Sequence, residues 1–306
     1  MLYDILSNVR RERDRPASER RTGCQHPMNM RSKFALFTFA FAFAAGVAAY
    51  PAAAQTRPGP LPPPANAPPP VVIPAEPKPE PPPVPVPEII KRFSENEQAM
   101  LVAHGSYVYK KIVRVEEIDD NGKPAGTFQF TTELTPLPDG RFYERELKHP
   151  ETSLNVLNLE PESLSPLLKI PPLPFIPSQL VHYDVNYVGT QKLDELNTYI
   201  FRIEPKQVER QHAYFKGVIW VDDQDFVIVK TLGHWVTELG EISTDNFPFK
   251  FFDTYRENVQ GKIWFPSYLR SDDSVNTKHG LVHVRLVVRW EDYKPRAAAP
   301  APAPQQ

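Results

Sequence analysis

The chain reads as a mainly β protein of the α+β kind: a curved antiparallel sheet of about ten strands, an incomplete β-barrel, with a helix before it and a Pro/Leu-rich lid segment. Three observations predict this. Short runs of period-two alternation, separated by turn residues, recur from residue 106 to residue 290. One pair of those runs, inside Tyr199–Lys230, has no polar face. A long apolar stretch punctuated by proline interrupts the strands between His149 and Leu180, and it needs an apolar surface to lie on.

The Tyr199–Lys230 stretch organises the rest. Tyr199, Phe201 and Ile203 alternate with Ile200, Arg202 and Glu204 on a first strand. With an even turn at Asp222–Asp225, Phe215, Ile219, Val221, Phe226 and Ile228 share one face of the following hairpin. Val218, Trp220, Val227 and Val229 share the other. A surface hairpin keeps one wet face, so this one is expected to be covered on both sides or to face a cavity.

Residues 1–54 are expected to be a leader rather than a domain. Arg31 and Lys33 precede an apolar run from Phe34 to Ala49, and Ala52-x-Ala54 supplies small residues for cleavage after Ala54. That pattern predicts a secretory signal peptide from a start near Met28 or Met30 and a periplasmic or cell-envelope location; an uncleaved inner-membrane anchor is the alternative. The one cysteine, Cys24, lies ahead of this segment, so a processed chain has no thiol, disulfide or Cys-ligated metal. Residues 55–87 hold 16 of the 36 prolines and read as a disordered Pro-rich linker. Residues 88–294 are left as one domain, long enough for a sizeable core, and 295–306 form an Ala/Pro tail. Residues 1–54 take eight Lys/Arg and four Asp/Glu from totals of 35 and 37, leaving 27 against 33, a net charge of −6. That balance excludes the basic footprint of a nucleic-acid binder.

Within the domain, Glu88–His104 is expected to be a helix with Ile89, Phe93, Met100 and Leu101 inward, Ser94 or Asn96 outward, and Gly105 as its stop. Strands are predicted at 106–118, 127–135, 141–147, 181–188, 199–204, 215–221, 226–237, 249–256, 262–270 and 281–290. Turns fall at Asp119-Asp120-Asn121-Gly122 and Pro138-Asp139-Gly140, and Asp272-Asp273 is assigned to a turn by the same polar signal. An even turn at 258–261 puts Phe249, Phe251, Tyr255, Trp264 and Tyr268 on one aromatic wall. With Trp220 or Ile219 from the central hairpin, these are the candidate wall of an apolar cavity. Leu164, Leu167, Leu168, Ile170, Leu173, Phe175 and Ile176 are the candidate lid, with short helical turns expected at 162–169.

No catalytic set emerges. The chain has no Gly-x-Ser-x-Gly, phosphate-cradling Gly loop or His-Glu-x-x-His. His279 and His283 are four apart on a turn and a strand, where that spacing does not converge ligands. Asp222, Asp223 and Asp225 read as a polar turn rather than a calcium loop. No cofactor, metal or catalytic residue is therefore predicted.

The run Tyr199-x-Phe201-x-Ile203-x-Pro205, followed by Gly217-x-Ile219-Trp220-Val221-Asp222-x-x-Asp225-Phe226-x-Ile228-x-Lys230, resembles the strand pair of the outer-membrane lipoprotein-sorting proteins, the LolA/LolB-like periplasmic carriers. The resemblance implies a half-barrel with a lid over an apolar cavity for a lipid or lipoprotein acyl chain. It also implies an internal lid-holding arginine, for which Arg114, Arg202 and Arg285 are equal candidates. The Pro-rich linker and the stretch 161–177 depart from that family's pattern. The function expected is a non-enzymatic, monomeric carrier of an apolar ligand, with an envelope protein as a further partner. Its rival is an envelope-anchored spacer that uses the Pro-rich run to extend the domain outward.

Overall fold

The described residues form a long helix with proline in its first turn, a short second helix and eleven antiparallel strands. The computed structural model describes residues 57–65, 67, 80–157, 175–210, 212–237, 240–241, 251–261 and 263–296, all within the compact unit Thr56–Gln306. Helix α1 (Val86–His104) starts with proline in its first turn, where a missing N–H costs nothing. Its inward stripe is Ile89, Phe93, Met100 and His104, with Glu97 in phase between them. Ser94, expected outside, is buried instead; its Oγ donates to the Lys91 carbonyl at 2.9 Å, so burial leaves it satisfied. Gly105 ends the helix in a right-handed conformation.

The strands are β1 (Tyr107–Ile118), β2 (Pro124–Pro136), β3 (Phe142–Thr152), β4 (Tyr183–Leu193), β5 (Leu196–Pro205), β6 (Tyr214–Asp222), β7 (Ile228–Thr237), β8 (Gly240–Glu241), β9 (Phe251–Val259), β10 (Ile263–Thr277) and β11 (Gly280–Pro295). A short helix α2 (Pro177–Leu180) precedes β4 and takes Val181 out of the strand predicted there. The order across the sheet is β3-β2-β1-β11-β10-β9-β7-β6-β5-β4, with β8 pairing only β7. Among the described residues the outer strands β3 and β4 do not pair, so the sheet stays open, as an incomplete barrel does.

Turn chemistry sets the hairpins. Asp119 accepts the N–H of Asn121 and Lys123, and Gly122 takes a φ of 75° that favours glycine. Asp222 accepts the N–H of Gln224 and Asp225 and so builds the expected turn after β6. Asp272 and Asp273 do not turn: they lie inside β10, which runs on to Thr277. Asp272 faces Arg285 of β11 in register, and Arg270 and Arg285 both pair with its carboxylate. That ion pairing lets acidic residues occupy a strand that the polar signal alone would end.

The two faces of the central hairpin separate as its alternation predicts. Phe215, Ile219, Val221, Phe226 and Ile228 join α1 in the main core, along with Tyr199, Phe201 and Ile203 of β5. Trp220, Val229, Leu232 and Trp264 form a second cluster on the opposite side, with Val218 and Val227 packed against it. Phe93 of α1 meets Phe201 with ring centroids 5.8 Å apart. Burial of each such ring stabilises by about 2–3 kcal/mol. Gly217 and Gly233 are partners on β6 and β7. A Cβ on either would come within 2.2–2.7 Å of backbone atoms and the Phe215 ring. The ring lies over the glycine pair and fills what their missing side chains leave.

Candidate functional site

The inner face of the sheet is an apolar wall that carries the helix. Paired positions on β2, β1 and β11 continue it: Phe130, Val113 and Val288 in one row, Phe128, Val115 and Leu286 in the next. α1 packs on this face through Phe201 of β5, Phe265 of β10 and Tyr109 of β1. Alternation places these side chains inward, and the next inward position on β1 is Glu117.

Glu117 is buried, 3% exposed, at the end of that wall. It accepts the backbone N–H groups of Asn155, Val156 and Leu157 at 2.8, 2.7 and 2.7 Å. Burial pushes its pKa up, but the hydrogen bonds from these amides outweigh burial and hold it below the usual carboxylate range. Three successive N–H groups on one carboxylate fix the chain where the Pro/Leu stretch begins. Leu154 and Leu157 pack against the core from there.

The far end of the stretch is fixed by a second carboxylate. Glu97 of α1 forms a bidentate pair with Arg256 of β9, with Nη2 to Oε2 at 2.9 Å and Nη1 to Oε1 shorter still. Both side chains are buried. The Phe175 N–H donates to the same Oε2 at 3.3 Å. The Phe175 ring then packs on Tyr183 and Phe215 at 5.9 and 5.5 Å, and Ile176 is buried beside it. The two lid candidates among the described residues, Phe175 and Ile176, are therefore seated on the inner side. Leu164, Leu167, Leu168, Ile170 and Leu173, and the helical turns expected at 162–169, lie outside the described residues.

The predicted wall divides. Phe251, Tyr255, Trp264, Tyr268 and Trp220 share a face, and it is the face turned away from α1. Tyr255 and Tyr268 are cross-strand partners with rings 5.8 Å apart. Ile219 alone lies on the helix side, and Phe249 lies outside the described residues. The shared parity was readable in the sequence, but a hairpin apolar on both faces does not say which face is inward. Of the three candidate arginines, Arg285 is on the outer face, bound to Asp272. Arg114 pairs with Glu116, and Arg202 lies opposite Val218 of the outer cluster. The buried arginine that bonds to α1 is Arg256. Its signal, and those of Glu97 and Glu117, was a charged residue in phase with an apolar stripe.

Two other ionisable groups sit on the inner side. His104 is surrounded by Tyr109, Phe142, Phe265 and Tyr293. Burial, and the nearby Arg256 charge, lower its pKa to about 4, so it is neutral at pH 7. Lys111 is buried against Glu144 at 2.9 Å; burial lowers its pKa, and Glu144 opposes that shift. Among the described residues no group of three or more His, Cys, Asp or Glu could hold a metal ion, and His283 is engaged by Ser274 at 2.8 Å. No helix of the described residues is long and apolar enough to cross a membrane.

Among the described residues, the geometry defines an open antiparallel sheet with a helix on one face. No family model matches the chain, and no curated protein does. Solved structures are similar to it in outline. A DUF1329 family protein from Desulfovibrio piger is 12% identical, with 69% of this chain and 94% of that one covered and a TM-score of 0.34. A LolA superfamily protein from Nitrosomonas europaea is 13% identical, with 71% and 96% covered and a TM-score of 0.32. MucB in the MucA/MucB complex of Pseudomonas aeruginosa is 12% identical, with 69% and 99% covered and a TM-score of 0.21.

Proposed function

We propose that the protein is a non-enzymatic carrier or binding protein for an apolar ligand, a lipid or lipoprotein acyl chain. In this reading it is exported on the segment 31–54 and works in the periplasm or cell envelope. The observation that supports it most is the pair of carboxylate anchors, Glu117 and Glu97, at the two ends of the Pro/Leu stretch. Anchors that fix the chain at 155–157 and again at 175, on either side of a leucine-rich sequence, suit a lid that parts from the apolar wall and closes again. An acyl chain entering between them gains about 0.8 kcal/mol per methylene buried, so affinity needs no catalytic group.

The site for this ligand is the inner wall of Val113, Val115, Phe128, Phe130 and Leu286 rather than the outer aromatic cluster. The test is uptake of a dansyl-labelled undecanoic acid by the purified full-length protein, followed by displacement with oleate. Saturable uptake, lost in Val115→Trp with the fold intact, is the expected result. A protein that takes up no probe after delipidation and carries no lipid in native mass spectrometry would sink the proposal.

A further inference from the structure

The outer face of the sheet carries a second constellation that the carrier reading does not use. Trp220, Tyr255, Trp264 and Tyr268 are all buried there, although α1 is on the other side. Beside them stand Arg270 and Arg285, both on one carboxylate: Arg270 Nε to Asp272 Oδ2 at 2.5 Å, and Arg285 Nε to Asp272 Oδ1 at 2.7 Å. Asp272 thereby fixes both guanidinium planes and leaves their outer N–H groups for something else. That something is the chain's own Pro-rich stretch. Arg270 Nη2 donates to the Ala67 carbonyl at 2.6 Å and Nη1 to the Pro64 carbonyl at 3.4 Å, while Arg285 Nη1 donates to the Ala65 carbonyl.

The rest of the stretch is held in register with these contacts. Arg57 pairs with Asp222 and bonds to Gln224 at the turn after β6. The Leu61 N–H donates to Asp194 Oδ2 at 2.8 Å. Gly59 lies so close to β9 that a Cβ would fall 2.0 Å from the Arg256 carbonyl oxygen, and Pro60 beside it is buried. The chemistry is complementary. Residues 57–67 include five prolines, which have no N–H to satisfy, and an extended proline-rich chain leaves its carbonyls unbonded. The groove offers what such a chain lacks: donors fixed in place.

We propose that this outer face is a binding groove for an extended proline-rich peptide carrying a cation two residues ahead of glycine, and that residues 57–65 and 67 occupy it in cis. The proposal stands independently of the carrier reading. A second proline-rich chain with the same register can enter only by displacing the resident one, so the resident segment guards the groove.

The test uses the full chain with Gly59→Val, which cannot seat, and a fluorescein-labelled peptide of residues 57–67 followed by anisotropy. The variant is expected to bind the peptide at least tenfold more tightly than the unaltered protein, and a peptide carrying the same Gly→Val change is expected to bind neither. Arg57→Ala, altered on a half-exposed residue, serves as a second release variant if Gly59→Val fails to fold, and should also bind the peptide more tightly. Failure of both variants to bind the peptide overturns the proposal. So does equal binding by variant and unaltered protein. Equal binding of the Ala/Pro peptide 296–306 would place recognition in proline content alone and overturn the register. Fatty-acid uptake by the same variants is expected to be unchanged, which separates this test from that of the carrier.

Discussion

Removing the carboxylate of Glu97 strikes α1, β9 and the loop at once. Glu97→Gln keeps the volume and still offers an oxygen to the Phe175 N–H, but it takes away the charge that faces Arg256. Both partners are almost fully buried, 4% and 1% exposed for Arg256 and Glu97, so solvent cannot take over. Loss of one member of such a pair costs about 3–5 kcal/mol, chiefly the desolvated charge left behind. Arg256→Gln is expected to cost the same range, with the charge now on Glu97. The double replacement Glu97→Leu with Arg256→Met removes both charges and fills similar volume, and should lie within about 1–2 kcal/mol of the unaltered protein. Urea unfolding at pH 7.5, read by tryptophan fluorescence, compares these variants with the unaltered protein, and single Glu97→Leu and Arg256→Met supply the remaining corners of the cycle. Single losses below about 1 kcal/mol, or a double variant that simply sums the singles, would refute the view that this pair pins helix to sheet.

Three further outcomes are expected. His104 has a pKa of about 4 when folded against an ordinary 6.5, so the unfolded chain binds the proton first as pH falls; stability is full above about pH 6.5 and declines by up to about 3 kcal/mol toward pH 4. His104→Gln should flatten that part of the urea-midpoint profile between pH 4 and 6.5, and an unchanged slope would place the acid sensitivity elsewhere. Glu117→Gln loses the ionised acceptor of three N–H groups, about 1–3 kcal/mol, and should speed hydrogen exchange at Asn155–Leu157 while leaving the β9–β10 hairpin protected. Gly233→Ala drives a methyl into the Lys216 carbonyl at 2.3 Å and the Phe215 ring, and should cost about 1–3 kcal/mol by thermal melting; a neutral substitution would mean that β6 and β7 can separate freely.

The strands were legible because alternation and turn residues report local geometry, and most strand positions coincide with the predicted runs. The two apolar faces of the Phe215–Ile228 hairpin were legible for the same reason. What hid was direction and charge. Nothing in Phe251-x-x-x-Tyr255 says whether the helix will settle on that face or the other; the choice follows from Phe93, Glu97 and His104 finding Phe201, Arg256 and Phe265 across the chain. Asp272 looked like a turn because its partner Arg285 is thirteen residues away, across the hairpin. The Pro-rich run read as a linker because composition describes the segment alone, and residues 57–65 and 67 owe their place to hydrogen-bond partners more than 120 residues further on.

The clasp at residues 57–65 and 67 has a mechanical side. The chain is fastened to the outer face at Asp222, Asp194 and Arg270 before it reaches α1 on the inner face. Tension applied ahead of Arg57 is therefore delivered to the middle strands, roughly in shear across several hydrogen bonds and an ion pair. The helix and its buried Glu97–Arg256 pair feel none of that load until the clasp has failed. A tug on the tether and a displacement of the helix are thus separate events, with the more exposed fastening placed to yield first.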